Sequence, residues 1–252
     1  MVKRGTALPK KLKFDAIVEA LLELRFQTKG IPEVFLGRLI DNEPWKNWEQ
    51  RQLPAYNLPP QFRALDPNIQ FAPIIELVGP GTKTILRVGG RVISYHRQAP
   101  YVGWEQFKPE LELLTTTLFK TSDALVVRRL GLRYMNALRP TLHSVSSIAD
   151  LDVKMSVFED AITSAVNLNF TTQVGNGTSC TVRIATPEFV QQGGIIPSDT
   201  SVFVDVDVYT NEGFKTTHKK DVDEWVEFAH TQEKVEFFHL FRQPTIDKLR
   251  EE

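Results

Sequence analysis

From residue 17 to residue 26 apolar and polar positions alternate, with Val18, Ala20, Leu22, Leu24 and Phe26 on one side of a period-two ribbon and Glu19, Leu21, Glu23 and Arg25 on the other. That is the pattern of a half-buried strand. Ala, Leu and Glu also favour helix, but a helix would not separate the glutamates so cleanly. After Gly30, Pro32 suits a first helical position, and Val34, Phe35, Leu39 and Ile40 predict a short amphipathic helix ending near Asp41 and Asn42. Residues 43–68 then carry Pro44, Pro54, Pro59, Pro60 and Pro67, with Trp45, Trp48, Tyr56 and Phe62 between them. Such proline density forbids long regular elements, and the aromatic side chains make this a loop that packs down or binds a partner.

Residues 71–78, 82–88 and 91–97 predict the three strands of a meander. Their separators, Gly79-Pro80-Gly81 and Gly89-Gly90, supply the positive φ of tight turns. Leu111, Leu114 and Leu118 mark a helix over residues 110–120 after Pro109, with Trp104 and Phe107 just upstream to staple its entry. A strand follows over residues 126–138, placing Leu130, Leu132 and Tyr134 on one face and Arg129, Gly131, Arg133 and Met135 on the other. Ser156 and Glu159 have capping-box spacing and predict a helix bearing Val157, Phe158, Ala161, Ile162 and Ala165. Residues 170–174 and 178–186 flank Gly175-Asn176-Gly177, the strongest hairpin signal in the chain. Val202, Val204, Val206 and Val208 alternate with Phe203, Asp205, Asp207 and Tyr209 in a last strand. Asp221 and Glu224 then cap a helix carrying Trp225, Val226, Phe228, Ala229, Val235, Phe238 and Phe241.

The order strand, short helix, antiparallel meander, long helix thus occurs twice, about 110 residues apart. The predicted fold class is α+β: two similar halves, residues 17–122 and 123–252, behind a basic extension over residues 1–16. Their antiparallel sheets would merge into one saddle or barrel-like sheet covered by the two long helices. If the first strands of the halves pair, Glu19 and Glu23 face Arg129 and Arg133, a favourable cross-strand arrangement.

Composition narrows the functions. The 252 residues hold 30 Lys+Arg against 31 Asp+Glu, a net charge of -1, so no global positive field draws the chain to a polyanion. One cysteine, Cys180, excludes an intrachain disulfide and a four-cysteine zinc site. No apolar stretch has the length of a signal peptide or a membrane span, so the expectation is a cytoplasmic protein without membrane contact.

Candidate chemistry is sparse. Of five histidines, at positions 96, 143, 218, 230 and 239, His230 and His239 share a helix but project about 180° apart. They cannot hold one ion, and no metal or cofactor is implied. Residues 79–84 resemble a phosphate loop only superficially, because Thr82 interrupts the Gly-Lys dipeptide and a strand follows. Cys180 lies in a strand without a base beside it and reads as a buried spectator. Asp205 and Asp207 point to one face of a strand and read as solvated carboxylates. Arg128, Arg129, Arg133 and Arg139 concentrate positive charge, as an anion clamp or as partners of strand glutamates.

Several segments together resemble a sporadically distributed family of bacterial proteins of unknown function. They are residues 17–20 with Glu23-Leu24-Arg25-Phe26, the run Tyr101-Val102-Gly103-Trp104-Glu105-Gln106-Phe107, the run Leu132-Arg133-Tyr134-Met135-Asn136, and His239, Phe241, Pro244-Thr245 and Leu249 at the end. The resemblance implies genes of patchy distribution, as in defence or toxin–antitoxin-type loci. It carries no catalytic residues, and it leaves Arg133 and Asn136 as ties from strand to loop.

The leading expectation is a non-enzymatic interaction module that offers Trp45, Trp48, Tyr56 and Phe62 to a protein partner. The alternative is nucleic-acid or nucleotide binding on a saddle-shaped sheet through Arg129, Arg133 and Asn136. An enzyme would require Tyr134, Asp205, Asp207 and His96 to converge.

Overall fold

The elements run β1 (Ile17–Gln27), α1 (Pro32–Ile40), β2 (Glu49–Gln52), α2 (Pro60–Leu65), β3 (Ile75–Val78), β4 (Thr84–Val88), β5 (Val92–Gln98), α3 (Trp104–Thr121), β6 (Val126–Leu138), α4 (Pro140–His143), β7 (Ser156–Val157), β8 (Asp160–Ala161), β9 (Asn167–Gly175), β10 (Thr178–Ala185), β11 (Val202–Thr210), α5 (Lys219–His239) and α6 (Gln243–Leu249). This computed structural model describes residues 8–9, 12–67, 69–79, 81, 83–122, 124–190 and 194–250. Lys3, Arg4, Lys10 and Lys11 of the basic extension lie outside the described residues, as do Pro80 and Thr82 of the glycine-rich turn.

Nine strands form a single antiparallel sheet in the order β2-β3-β4-β5-β1-β6-β11-β10-β9. The two halves therefore do share a sheet, joined at the β1–β6 pair, with the meander of each half running outward from it. The sheet is open, with β2 and β9 as its edges, so it is not a barrel. Alternation places Leu22, Leu24, Phe26, Leu130 and Leu132 fully out of solvent on one face. That face is covered by helices: α5 packs on β6, β10 and β11, and α3 packs on β5 and against α5. Trp225 Nε1 donates to Thr178 Oγ1 at 3.1 Å, fixing α5 to β10. Thr115 Oγ1 donates to Asp223 Oδ1 at 3.1 Å, and Lys108 pairs with Glu227, fixing the two helices to one another. No helix among the described residues is long and apolar enough to cross a membrane.

Four local expectations fail, each for a physical reason. Residues 156–165 form no helix: β7 and β8 make a small hairpin turning at Phe158 and Glu159, with φ of 49° and 73°. A capping box stabilises only a first turn, whereas a helix needs a face to bury, and here Phe158 is 96% exposed. Helix α3 starts at Trp104, so Trp104 and Phe107 belong to it and Pro109 lies inside it. At the sixth helical position proline forfeits only one backbone bond near the end, which packing of Phe107 and Leu111 offsets. Helix α5 is not capped by Asp221, whose carboxylate accepts from Thr216 Oγ1 at 2.5 Å; His218 is the N-cap residue and makes no side-chain cap. The proline-rich stretch holds only short elements, among them an edge strand, β2, whose sequence Glu-Gln-Arg-Gln has no apolar signal and is wholly exposed, as suits a charged sheet edge. Finally, Gly89-Gly90 turns without positive φ. Glycine is required there by close approach, since a Cβ on Gly89 would stand 2.6 Å from the carbonyl oxygen of Ala72.

The other sheet face is polar and laced with ion pairs. Arg87 Nε donates to Glu76 Oε2 at 2.8 Å and Arg129 Nη1 to Glu23 Oε1 at 2.9 Å. Arg133 holds Asp205 with two bonds of 2.8 and 2.5 Å. Of the expected cross-strand pairs only Glu23 with Arg129 forms. In the actual register Arg133 lies opposite Leu21 on β1 and Asp207 on β11, reaching diagonally to Asp205. Glu19 turns instead to His96 Nδ1, 3.2 Å away. Part of this face is covered by Val190, packed with Val18, Ala137, Ala185 and Phe203.

Candidate functional site

Where α5 crosses β6 beside the start of α3, the helix-covered face opens into a cleft of about 630 Å³, within the range of small-molecule sites. Its floor is Tyr134, on the helix side of β6. One wall is the segment from Tyr101 to Trp104, aimed by Gly103, whose φ of 85° turns the chain into α3 at little cost only for glycine. The opposite wall is α5, where His230 and Glu233 share a face at i and i+3 and Phe237 follows one turn on. Asp15, Ile17 and Leu12 close one end.

The polar groups are connected. Tyr101 Oη and Tyr134 Oη lie 3.2 Å apart, and Tyr134 Oη is 3.4 Å from His230 Nδ1. Trp104 stacks on the His230 ring at 3.9 Å between centroids and 10° between planes, and Tyr101 meets Tyr134 edge-on at 5.8 Å. Burial pushes both tyrosine hydroxyls above their usual range, so they stay neutral donors and acceptors. Burial lowers His230 to about 4, aided by nearby Lys234, so the imidazole is neutral at pH 7. Glu233 is 93% buried, and among the described residues its carboxyl makes no hydrogen bond. Burial raises that carboxyl to about 8, Asp15 pushing the same way and Lys234 opposing.

None of the expected partner-binding aromatics lies here. Trp45 is a core residue, 1% exposed, and Trp48 is half-buried, so neither side chain stands free as an anchor. Tyr56 and Phe62 are exposed. The expected anion trio is split. Arg129 and Arg133 sit on the polar face, bound to Glu23 and Asp205, while Asn136 faces the cleft and its amide donates to the carbonyls of Tyr134 and Val204. Arg133 and Asn136 therefore tie strand to strand rather than strand to loop. Arg129, with Arg25 and Arg128, borders a second and shallower basin in which Arg25 lies over Phe71 and Arg129 over Tyr209.

Tyr134, Asp205, Asp207 and His96 do not converge, because Tyr134 faces the helices and the other three face away. His96 is locked between Glu19 and Ser94 Oγ. Asp205 is buried and paired rather than solvated, and burial raises Asp207 to about 6 against the pull of Arg129 and Arg133. Cys180 is buried, its thiol raised by burial. No group of three or more metal-ligating side chains occurs among the described residues.

The sequence offers His230 only beside His239, a pair that helix geometry excludes, and its pattern does not single out Glu233. The missed signal was a charge on the buried stripe Val222, Val226, Ala229, Glu233 and Phe237 of α5.

Fold and site together define an α+β protein with one open antiparallel sheet and a cleft built by both halves of the chain under its helices. No family model matches the chain, and no curated protein is similar to it. The family resemblance rests on the residues quoted for it, and two of those segments, 101–107 and 132–136, meet in this cleft.

Proposed function

We propose that the chain binds a small organic molecule in the cleft over Tyr134. The observation that carries this reading is the convergence on one aromatic-walled space of Tyr101, Tyr134, His230 and a buried Glu233 that makes no hydrogen bond among the described residues. Buried polar groups are normally satisfied, and a ligand supplies what Glu233 lacks. The reading also suits a duplicated ancestry, for which the support is the like order of elements on either side of β1 and β6. In a thermal-shift screen of a small-molecule library, compounds that stabilise the wild type are expected to lose at least tenfold in affinity against Trp104→Ala. A library without any stabilising compound, or hits indifferent to Trp104→Ala, would overturn the reading.

A second reading keeps the interaction module at a corrected surface. Arg63 donates to the carbonyls of Ala55 and Tyr56 and lies 3.5 Å from Glu33, gathering α2, residues 54–57 and α1. Around it Val34, Tyr56, Leu58, Phe62 and Leu65 are exposed, Leu65 at 80%, an apolar patch of the kind that marks a protein contact. A photocrosslinker placed at position 65 of the full chain is expected to give one discrete protein adduct, lost on Phe62→Asp. Absence of an adduct removes this reading. The nucleic-acid alternative has weaker support, since the guanidiniums of Arg129 and Arg133 already hold carboxylates.

A further inference from the structure

We propose that the cleft's ligand is an organic cation, an amine whose ammonium group is held by Glu233 while its apolar body lies against Trp104 and Phe237. This rests on the cleft being a ligand site and adds the chemistry of what enters it. Asp15 and Glu105 line the space beside the Glu233 carboxyl, and Lys234 borders it. An anionic ligand would lie beside these carboxyl groups and keep Glu233 protonated, whereas a cation draws a charge-assisted bond from it. A buried ionised carboxylate without a partner costs several kcal/mol, and an ammonium removes that cost with a charge-assisted bond. The walls suit the same ligand, because the faces of Trp104 and Tyr101 attract a cation, and Phe237 and Phe238 offer apolar contact to its body.

The protonation state of the free site agrees. With Glu233 raised to about 8, its carboxyl is largely protonated at pH 7. Binding of an ammonium requires the carboxylate, so the site gives up a proton as the amine enters. The titratable groups that line the cleft with Glu233 are Asp15 from the chain before β1, Tyr101 and Glu105 from the opposite wall, Tyr134 from the floor, and His230 and Lys234 from its own helix. Asp15 disfavours its ionisation and Lys234 favours it.

The test is calorimetric titration of the full chain with a panel of arylalkyl amines, each paired with its neutral alcohol and its carboxylate isostere. The expected result is that at least one amine binds tenfold or more tightly than its two isosteres and weakens at least tenfold against Glu233→Gln. Its affinity for the wild type should also rise at least tenfold from pH 6 to pH 8, as Glu233 ionises. That profile decides the matter if the variant does not fold. Alcohols or carboxylates that bind as well as the amines, or an amine affinity flat in pH, would overturn the cation proposal and leave the cleft reading standing. Failure of every compound in this panel and in the wider library would overturn both.

Discussion

Trp45→Ala is expected to lower the unfolding free energy by about 3–5 kcal/mol, the range for removing a large aromatic side chain from a packed core. For a chain of this length that means a fall in melting temperature on the order of 10 °C. The indole sits in a single turn of 3₁₀ helix over Trp45–Asn47, directly after Pro44, and its side chain joins the main apolar core with Leu36, Leu39 and Leu77. Its Nε1 has no hydrogen-bond partner, so the contribution comes from packing, and Trp45→Phe should recover most of it. Trp48→Ala, at a half-buried position, should cost less than about 1.5 kcal/mol on the same scale. Urea unfolding midpoints of the three variants measure the difference. Equal midpoints for Trp45→Ala and wild type would mean that the proline-rich stretch is not part of the core. Loss of a binding partner in a Trp45 variant would report unfolding, so Phe62 is the residue with which to probe that surface.

Between pH 6.5 and pH 8 the wild type is expected to lose about 2 kcal/mol of stability relative to Glu233→Gln as pH rises. The Glu233 carboxyl moves from an ordinary 4.5 to about 8 on folding. Its contribution is fully present below pH 4.5 and is lost as pH climbs through 8, because in that interval the folded state holds a proton that the unfolded state has released. Other groups titrate in the same window. Asp207, raised from 3.8 to about 6, acts in the same direction and fades above pH 6. His230, lowered from 6.5 to about 4, and His143, also lowered by burial, act in the opposite direction and are still half titrated at pH 6.5 in the unfolded state. These groups are common to wild type and Glu233→Gln, so the difference between the two isolates the Glu233 slope, near 1.4 kcal/mol per pH unit. Denaturant unfolding at half-unit steps of pH measures it, and an identical slope in Glu233→Gln would refute the assignment.

The central strands were legible because their middles alternate. Residues 19–25 and 129–135 show the period-two pattern, while a bulge at the start of β1 shifts the register and puts Val18 on the polar face. What failed were short signals read alone. Ser156 and Glu159 have the spacing of a cap, yet Phe158 and Ala161 face water, and a cap without a buried face does not make a helix. The glycines at 89 and 90 have the composition of a tight turn, but the constraint comes from Ala72, many residues earlier, which no local pattern reports.

The candidate site was harder to see, because it is assembled from a loop at Tyr101, a strand residue at 134 and a helix stripe at 230–237. Each looked structural in isolation. The one local clue was Glu233, a charge where the stripe calls for an apolar side chain. Arg133 shows the reverse error: its charge invited a ligand, and its two bonds to Asp205 show it already satisfied.

That pair also acts as an alignment pin. Residues 133 and 134 are neighbours on β6 that serve opposite faces, the guanidinium gripping β11 on the polar side and the phenol standing under α5 on the other. A slip of β6 by one position would exchange them, driving an arginine beneath the helices and leaving Asp205 buried and unmatched. The salt bridge on one side of the sheet thus holds Tyr134 Oη in place on the other without touching anything that enters the cleft.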